Sequence, residues 1–420
     1  MIKKIAIIFI TTVLLSSCFT DVIDGQEIKT IDAKTLESYL NNNSTTKYAK
    51  VNNTSLLPII GWVGITRTNL TIENFQRMKD AGININCSYY PHVDSVQKAL
   101  DLSFQVGIKT LIDCPELTNN TIETVNRFKD HPANAGYFLK DEPSASDVSY
   151  YAKLAKLIES IDNTRFCYIN LLPTYAGPEI FATSTYNEYI QCYVTEIPLK
   201  ILSFDHYPII GSTIRFDWYK NLETIKDEST KSNIPFWAFA MATAHSPYPI
   251  TDVNQLRLQV YSNLAYGAKG IQYFTYQTPS KNDYHMGPIE RDGRKTVVYD
   301  YVKEINEEVQ SLSSIFSTSR VIKVSHYGDN IPEGTKPFTT APSNIKSLKI
   351  RGGNALISEL KSEVNSFFLI QNNNLFNEIG IKIDTDERTY VISKKGYIAP
   401  ASVIVGEFKL VPGDIVIFMK

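Results

Sequence analysis

From residue 57 to about 317, short apolar runs alternate with stretches whose apolar residues return every three or four positions. The first kind reads as buried parallel strands and the second as amphipathic helices. Eight runs qualify as strands: 57–65, 83–90, 109–114, 135–140, 166–172, 201–207, 235–242 and 270–276. Between them Phe75 and Met78 with a Gly82 stop, Ile122, Val125 and Phe128, and Val148, Tyr151, Ala155 and Ile158 keep helical spacing. Leu256, Val260, Leu264 and Gly267 continue the series, and Val298, Tyr301, Ile305, Val309 and Leu312 close it. Eight strand-then-helix units predict an α/β fold, a closed (β/α)8 TIM barrel over 56–318. A doubly wound open sheet is the alternative, but no Gly-rich phosphate turn follows the first run.

After Ser319 the period drops to two, with Ile379, Ile381 and Ile383 alternating and β-rich runs over 403–410 and 415–419. Turn signals at Gly352-Gly353-Asn354, Gln371-Asn372-Asn373-Asn374 and Pro412-Gly413-Asp414 separate about eight short strands. They predict a small antiparallel β-sandwich over 319–420, packed on the barrel's flank.

The N-terminus sets an expectation about place. Lys3 and Lys4 precede an apolar run from Ile5 to Leu15, short for a bilayer span, that ends in Leu15-Ser16-Ser17-Cys18. The pattern resembles a bacterial lipoprotein signal over 1–18, with Cys18 as the lipidated residue and acyl chains as the membrane anchor. Residues 19–55, with Asn41-Asn42-Asn43-Ser44-Thr45-Thr46, read as a polar tether. The implied location is the bacterial cell envelope. Cys87, Cys114, Cys167 and Cys192 are widely spaced with no Cys-x-x-Cys pair, which argues against a zinc site and leaves one disulfide open. A net charge of -2 without a recurrent basic stripe argues against a nucleic-acid partner.

Candidate chemistry gathers where the strands end. Gly136-Tyr137-Phe138-Leu139-Lys140 is apolar until it runs into Asp141-Glu142-Pro143, and a strand interior does not hold two adjacent carboxylates. Both acids therefore belong at the rim, which in a parallel barrel is the catalytic face. The same rim takes Trp62 and Arg67 from strand one, Tyr89 and His92 from strand two, and Asp113 and Glu116 from strand three. Strand six contributes Asp205, His206 and Tyr207, strand seven ends in Met241-Ala242-Thr243 with His245 beyond, and strand eight ends in Tyr276 and Gln277. Carboxylates, imidazoles and aromatic rings without a basic cluster suit a neutral polyhydroxy ligand rather than a phosphorylated one.

On Asp141-Glu142-Pro143 and His206-Tyr207, the barrel with its trailing sandwich resembles the clan A glycoside hydrolases, similar to families 5 and 42. Asp292-Gly293-Arg294-Lys295-Thr296 is similar to the end of family 42 barrels. The resemblance implies a glycosidase acting on an oligo- or polysaccharide without a cofactor or metal, with Glu142 as general acid. Trp62, Tyr89, Asp141, His206, Tyr207, Tyr276 and Gln277 would then contact the sugar. Two features depart from the family: strand eight ends in Tyr276 where the family has a Trp platform, and the nucleophile expected at the end of strand seven is absent, because that run carries no carboxylate. Asp205 is the leading substitute, with Asp113 or Glu116 next. Its shorter side chain predicts a gap to Glu142 wide enough for a water, and hence inversion. The competing expectation is a glycan-binding barrel that has lost catalysis.

Overall fold

A computed structural model describes residues 48–420. Eight parallel strands close into a barrel: β1 (Ile59–Trp62), β2 (Ile85–Cys87), β3 (Lys109–Ile112), β4 (Asn134–Asp141), β5 (Phe166–Leu171), β6 (Leu202–Phe204), β7 (Phe236–Met241) and β8 (Ile271–Phe274). Each lies within a run expected from the sequence, apart from one-residue extensions at both ends of β4. Most are shorter than the run, because apolar residues continue past the last ladder bond into buried loops. The barrel interior is filled by alternate residues, among them Ile60, Trp62, Ile85, Leu111, Tyr168, Trp237, Phe239 and Met241. Intervening residues such as Ile59, Tyr137, Ala238 and Ile271 face the surrounding helices instead. That two-sided burial is why the strands read as unbroken apolar runs.

Local chemistry places the helix that follows β4. Ser144 and Asp147 form a reciprocal cap, with the Asp147 carboxylate accepting from the Ser144 backbone N–H at 2.9 Å. The helix Val148–Ile161 then begins one residue on.

Nine further strands make the trailing unit: β9 (Arg320–Tyr327), β10 (Ile345–Arg351), β11 (Ala355–Lys361), β12 (Ser366–Asn372), β13 (Ile379–Thr385), β14 (Tyr390–Ile392), β15 (Tyr397–Pro400), β16 (Glu407–Leu410) and β17 (Ile415–Met419). β10, β13 and β16 form a three-stranded sheet, and the others form the larger one in the order β15-β14-β17-β12-β11-β9. Ile357, Phe368, Ile370, Val416 and Phe418 of the larger sheet meet Ile379, Ile381 and Phe408 of the smaller, and their neighbours Leu356, Phe367, Leu369 and Ile417 face the barrel. Two expected details differ. Ala401–Val403 is a 3-10 turn, so the strand expected from 403 starts at Glu407. Gln371 and Asn372 belong to β12 rather than to a turn, because both side chains are buried and hydrogen-bonded.

The segment read as a tether joins the fold at its end. Ala49–Lys50 pairs with β15 as an edge strand, and Asn53 donates to the Ser311 carbonyl and accepts from the Ser314 N–H. The signal and lipidation site at Cys18, with most of the tether, lie outside the described residues. The four described cysteines are free thiols, so the disulfide left open by the sequence does not form among them.

Candidate active site

The C-terminal ends of the barrel strands surround a cleft of about 230 Å³ lined by Trp62, Asp141, Glu142, Asn170, Tyr175, Asp205, Tyr207, Phe239, His245, Tyr248, Phe274 and Tyr284. Six of the residues singled out in the sequence meet there: Trp62, Asp141, Glu142, Asp205, Tyr207 and His245.

Strand β4 aims its two acids by irregularity. A register shift between Phe138 and Lys140 against β5 turns the strand end, and Asp141 then pairs with Asn170 across the ladder. Glu142 follows at φ +47°, an uncommon conformation for a residue with a Cβ, held by its N–H donating to the Asn170 carbonyl at 2.8 Å. Without that turn Glu142 would continue the pleat instead of bending over the barrel mouth. Strain of this kind, at a residue over-determined by its surroundings, is typical of functional positions.

Asn170 ties the acids together. Its side-chain N–H2 donates to Asp141 at 3.1 Å and to Asp205 at 3.0 Å, while its carbonyl accepts from Ser203 at 2.9 Å. Ser203 in turn accepts from Gln272 at 2.8 Å, and Gln272 accepts from the Tyr168 hydroxyl at 2.5 Å. This buried chain across the barrel fixes which face of the Asn170 amide meets the carboxylates.

The acids raise one another's affinity for protons. Burial pushes Asp205 well above the usual carboxylate range, and the charges of Glu142 and Asp141 push it further against the opposing bonds from Asn170 and Tyr207. Glu142 is exposed at the rim, yet partial desolvation by the cleft wall and then the Asp141 charge raise it, opposed by a hydrogen bond to Asp205. Asp141 is raised by burial against its bond from Asn170. Asp113, behind Asp141, is pushed by burial and then by the Asp141 charge to about 7. Like charges this close oppose one another's ionisation, so each carboxyl of the Asp205–Glu142 pair holds its proton more tightly while the other is charged.

That contact corrects the expected spacing. Asp205 and Glu142 lie within hydrogen-bonding reach, so neither a water nor a sugar ring fits between their carboxyls. A hydrogen bond between the two carboxyls leaves no water-wide gap of the kind expected for inversion.

Four of the residues expected to contact the sugar fall elsewhere. His206 alternates away from Asp205, is 1% exposed, and places Nε2 3.4 Å from Asp217, with the ring edge-on to Tyr175 at 4.9 Å. It supports a cleft wall from behind. Tyr89 is 57% exposed outside the cleft. Tyr276 is buried beneath the outer helices near Tyr299, Arg77 and Asp80, and Gln277 accepts from Asn69 at 3.3 Å. Asn170, Tyr175, Tyr248, Phe274 and Tyr284 join the site without having been singled out. Asn170 alone carried a signal, as a lone amide inside an apolar run. Among the described residues no group of three or more His, Cys, Asp or Glu is arranged to hold a metal ion.

No family model matches the sequence, and no curated protein is similar to it. Solved structures are similar in fold. A beta-galactosidase from Bacillus circulans sp. alkalophilus superposes with a TM-score of 0.58 at 8% identity, over 87% of this chain and 99% of that one. A catalytic mutant of a GH42 beta-galactosidase from G. stearothermophilus gives 0.57 at 8% identity, over 89% and 99%. A beta-galactosidase from the psychrophilic Marinomonas ef1 gives 0.48 at 11% identity, over 61% of this chain and 60% of that one.

Proposed function

We propose that the chain is a glycoside hydrolase acting on a neutral oligo- or polysaccharide, with Glu142 as the general acid. The observation that carries this reading is the Glu142–Asp205 carboxyl pair at the mouth of an aromatic-walled barrel cleft. A general acid must hold its proton near neutral pH and release it to a leaving oxygen, and partial desolvation at the cleft rim beside a like charge provides the first half. Asp205, deeper and more strongly raised, keeps the pair supplied with one proton. Trp62, Tyr175, Tyr207, Tyr248 and Tyr284 offer faces and hydroxyls to a sugar ring. The fold shared with beta-galactosidases supports the class of reaction and leaves the sugar open. Replacing Glu142 by Gln removes the transferable proton while keeping the shape, so kcat on an unactivated glycoside is expected to fall about 10²-fold or more. Unchanged turnover in that variant would remove Glu142 from the role.

A second reading has one observation in its favour. β7 ends at Met241 and is followed by buried Ala242 and Thr243, neither of them a carboxylate. A barrel that only binds glycans would show ligand-dependent stabilisation and no hydrolysis.

The sequence supports attachment to the cell envelope through acyl chains on Cys18. Cys18→Ala is expected to move the protein from the membrane fraction to the soluble one, because the lipid is the proposed anchor. Fractionation of cells expressing both forms reads this directly.

A further inference from the structure

We propose that His245, just beyond β7, is the general base that activates water on the side of the sugar opposite the Glu142–Asp205 pair, which makes the reaction an inverting one. The proposal rests on the glycosidase reading and supplies the second group that reading lacks. In the closed ring of strands β4 and β7 are separated by β5 and β6, so their ends lie well round the mouth from each other. His245 lines the same cleft as Glu142 and Asp205.

The imidazole is held in one orientation and one tautomer. Its Nδ1 lies 3.2 Å from the Thr243 carbonyl, which can only accept, so Nδ1 carries the hydrogen and Nε2 carries the lone pair. The ring stacks on Tyr284 with centroids 4.3 Å apart at 17°, and Tyr248 packs against it at 4.8 Å. Burial holds the imidazole below its ordinary pKa, the Thr243 carbonyl and Asp283 oppose that, and His285 adds to it. Besides these, the charged or titratable groups around His245 are Tyr248 and Tyr284 beside it, Arg215 behind Tyr248 at 3.3 Å from its hydroxyl, and Asp141, Glu142, Asp205, Tyr175 and Tyr207 elsewhere in the cleft. The ring is thus neutral, and able to accept a proton, at neutral pH.

Elimination leads to the same residue. The three carboxyls of the cleft are bonded to one another or to Asn170. Burial pushes the Tyr175, Tyr207 and Tyr284 phenols upward, so these keep their protons at neutral pH, and the Tyr248 hydroxyl accepts from Arg215 at 3.3 Å. The remaining lining side chains, Trp62, Phe239, Phe274 and the Asn170 amide, are not bases. Among the described residues of this cleft, His245 is the basic group left.

The step balances. Glu142 gives its proton to the glycosidic oxygen, and the bond from that oxygen to the anomeric carbon breaks with its electron pair on the oxygen. The water oxygen bonds to the anomeric carbon from the opposite face, and its proton passes to Nε2. One water is consumed, and the released sugar has the inverted configuration.

The test uses the mature full-length chain on a glycoside that it hydrolyses. The first variant is His245→Asn, whose amide still donates to the Thr243 carbonyl; His245→Gln is the second, should the first fail to give a native melting curve. The expected result is an inverted product anomer by NMR, a fall in kcat of about 10²-fold or more, and loss of the acid limb of the kcat/KM profile. That limb reflects protonation of the base below about pH 6.5. Imidazole should restore turnover to His245→Ala, which a purely structural residue would not show. A retained anomer, or a variant that keeps both its turnover and its acid limb, overturns the assignment. If His245→Asn is active and Glu142→Gln is not, His245 alone falls; if the wild-type chain cleaves no glycoside, the hydrolase reading falls with it.

Discussion

Asp113 shows how the carboxyl cluster reaches beyond the cleft. Its proton affinity, raised by burial and by Asp141 to about 7, exceeds that of an unfolded aspartate near 3.9. A group whose folded pKa is raised binds protons more tightly when folded, so the fold is penalised once pH rises through 7 and relieved as pH falls toward 4. Asn cannot ionise. Asp113→Asn is therefore expected to raise the melting temperature at pH 8 by about 2 °C or more, with the difference closing near pH 4. Calorimetry at both pH values checks it, and an equal gap at both would exclude the electrostatic cause. At this scale the sequence reveals which residues carry charge and hides which way they point. Asp141, Glu142 and Asp205 were legible because carboxylates are out of place in apolar runs. The outward turn of His206, the burial of Tyr276 and the closeness of Asp205 to Glu142 depend on strand alternation and loop paths that residue type does not encode. The aromatic wall from Tyr248 and Tyr284 lies on loops whose sequence has no period.

Strand β4 is the element on which the site depends. Its Gly136 has no room for a side chain: a Cβ there would stand 2.5 Å from the Phe166 carbonyl oxygen on β5. Backbone cannot retreat as a side-chain tip can. Gly136→Ala is expected to destabilise the protein by about 2 kcal/mol, seen in denaturant melts, and to lower activity as well, because the β4–β5 ladder positions both Asp141 and Glu142. Loss of stability with activity intact would mean that the strand ends are set independently of the register. Elements as a class were the most legible part of the chain, since parallel strands covered on both faces leave long apolar runs with helical patterns between them. Short irregular pieces were not. The hairpin Ile209–Ile210 with Thr213–Ile214 carries Arg215 up to the cleft, where its guanidinium stacks on Tyr175 at 4.1 Å, and nothing in its composition separated it from strand six.

Across the whole molecule, the helix Val253–Ala265 connects the two units. Toward the barrel its Gln259 accepts from the Met241 N–H at 2.8 Å and its Asn263 donates to the Phe239 carbonyl at 2.9 Å, both on β7. Toward the larger sheet Ser262 donates to Gln371 at 2.8 Å, and Ser358 donates to the Ala265 carbonyl at 2.7 Å. Arg257 and Lys394 share Glu308 at the same junction, at 2.7 and 3.5 Å. Eleven of the helix's residues are buried, a property of a helix enclosed on every side. The full chain is expected to melt in one transition, whereas a fragment of residues 48–318 would expose Leu258 and its neighbours and be recovered in the insoluble fraction. A soluble fragment with a cooperative melt of its own would show that the units are separable. The change of period near Ser319 was plain in the sequence, but this dependence was not, because Leu256, Val260 and Leu264 read as one apolar stripe where the fold uses the whole circumference. An engineer who exchanged the trailing sheets to alter what the cleft accepts would be removing the back wall of the strand that presents His245, so such redesign has to begin from the rim loops instead.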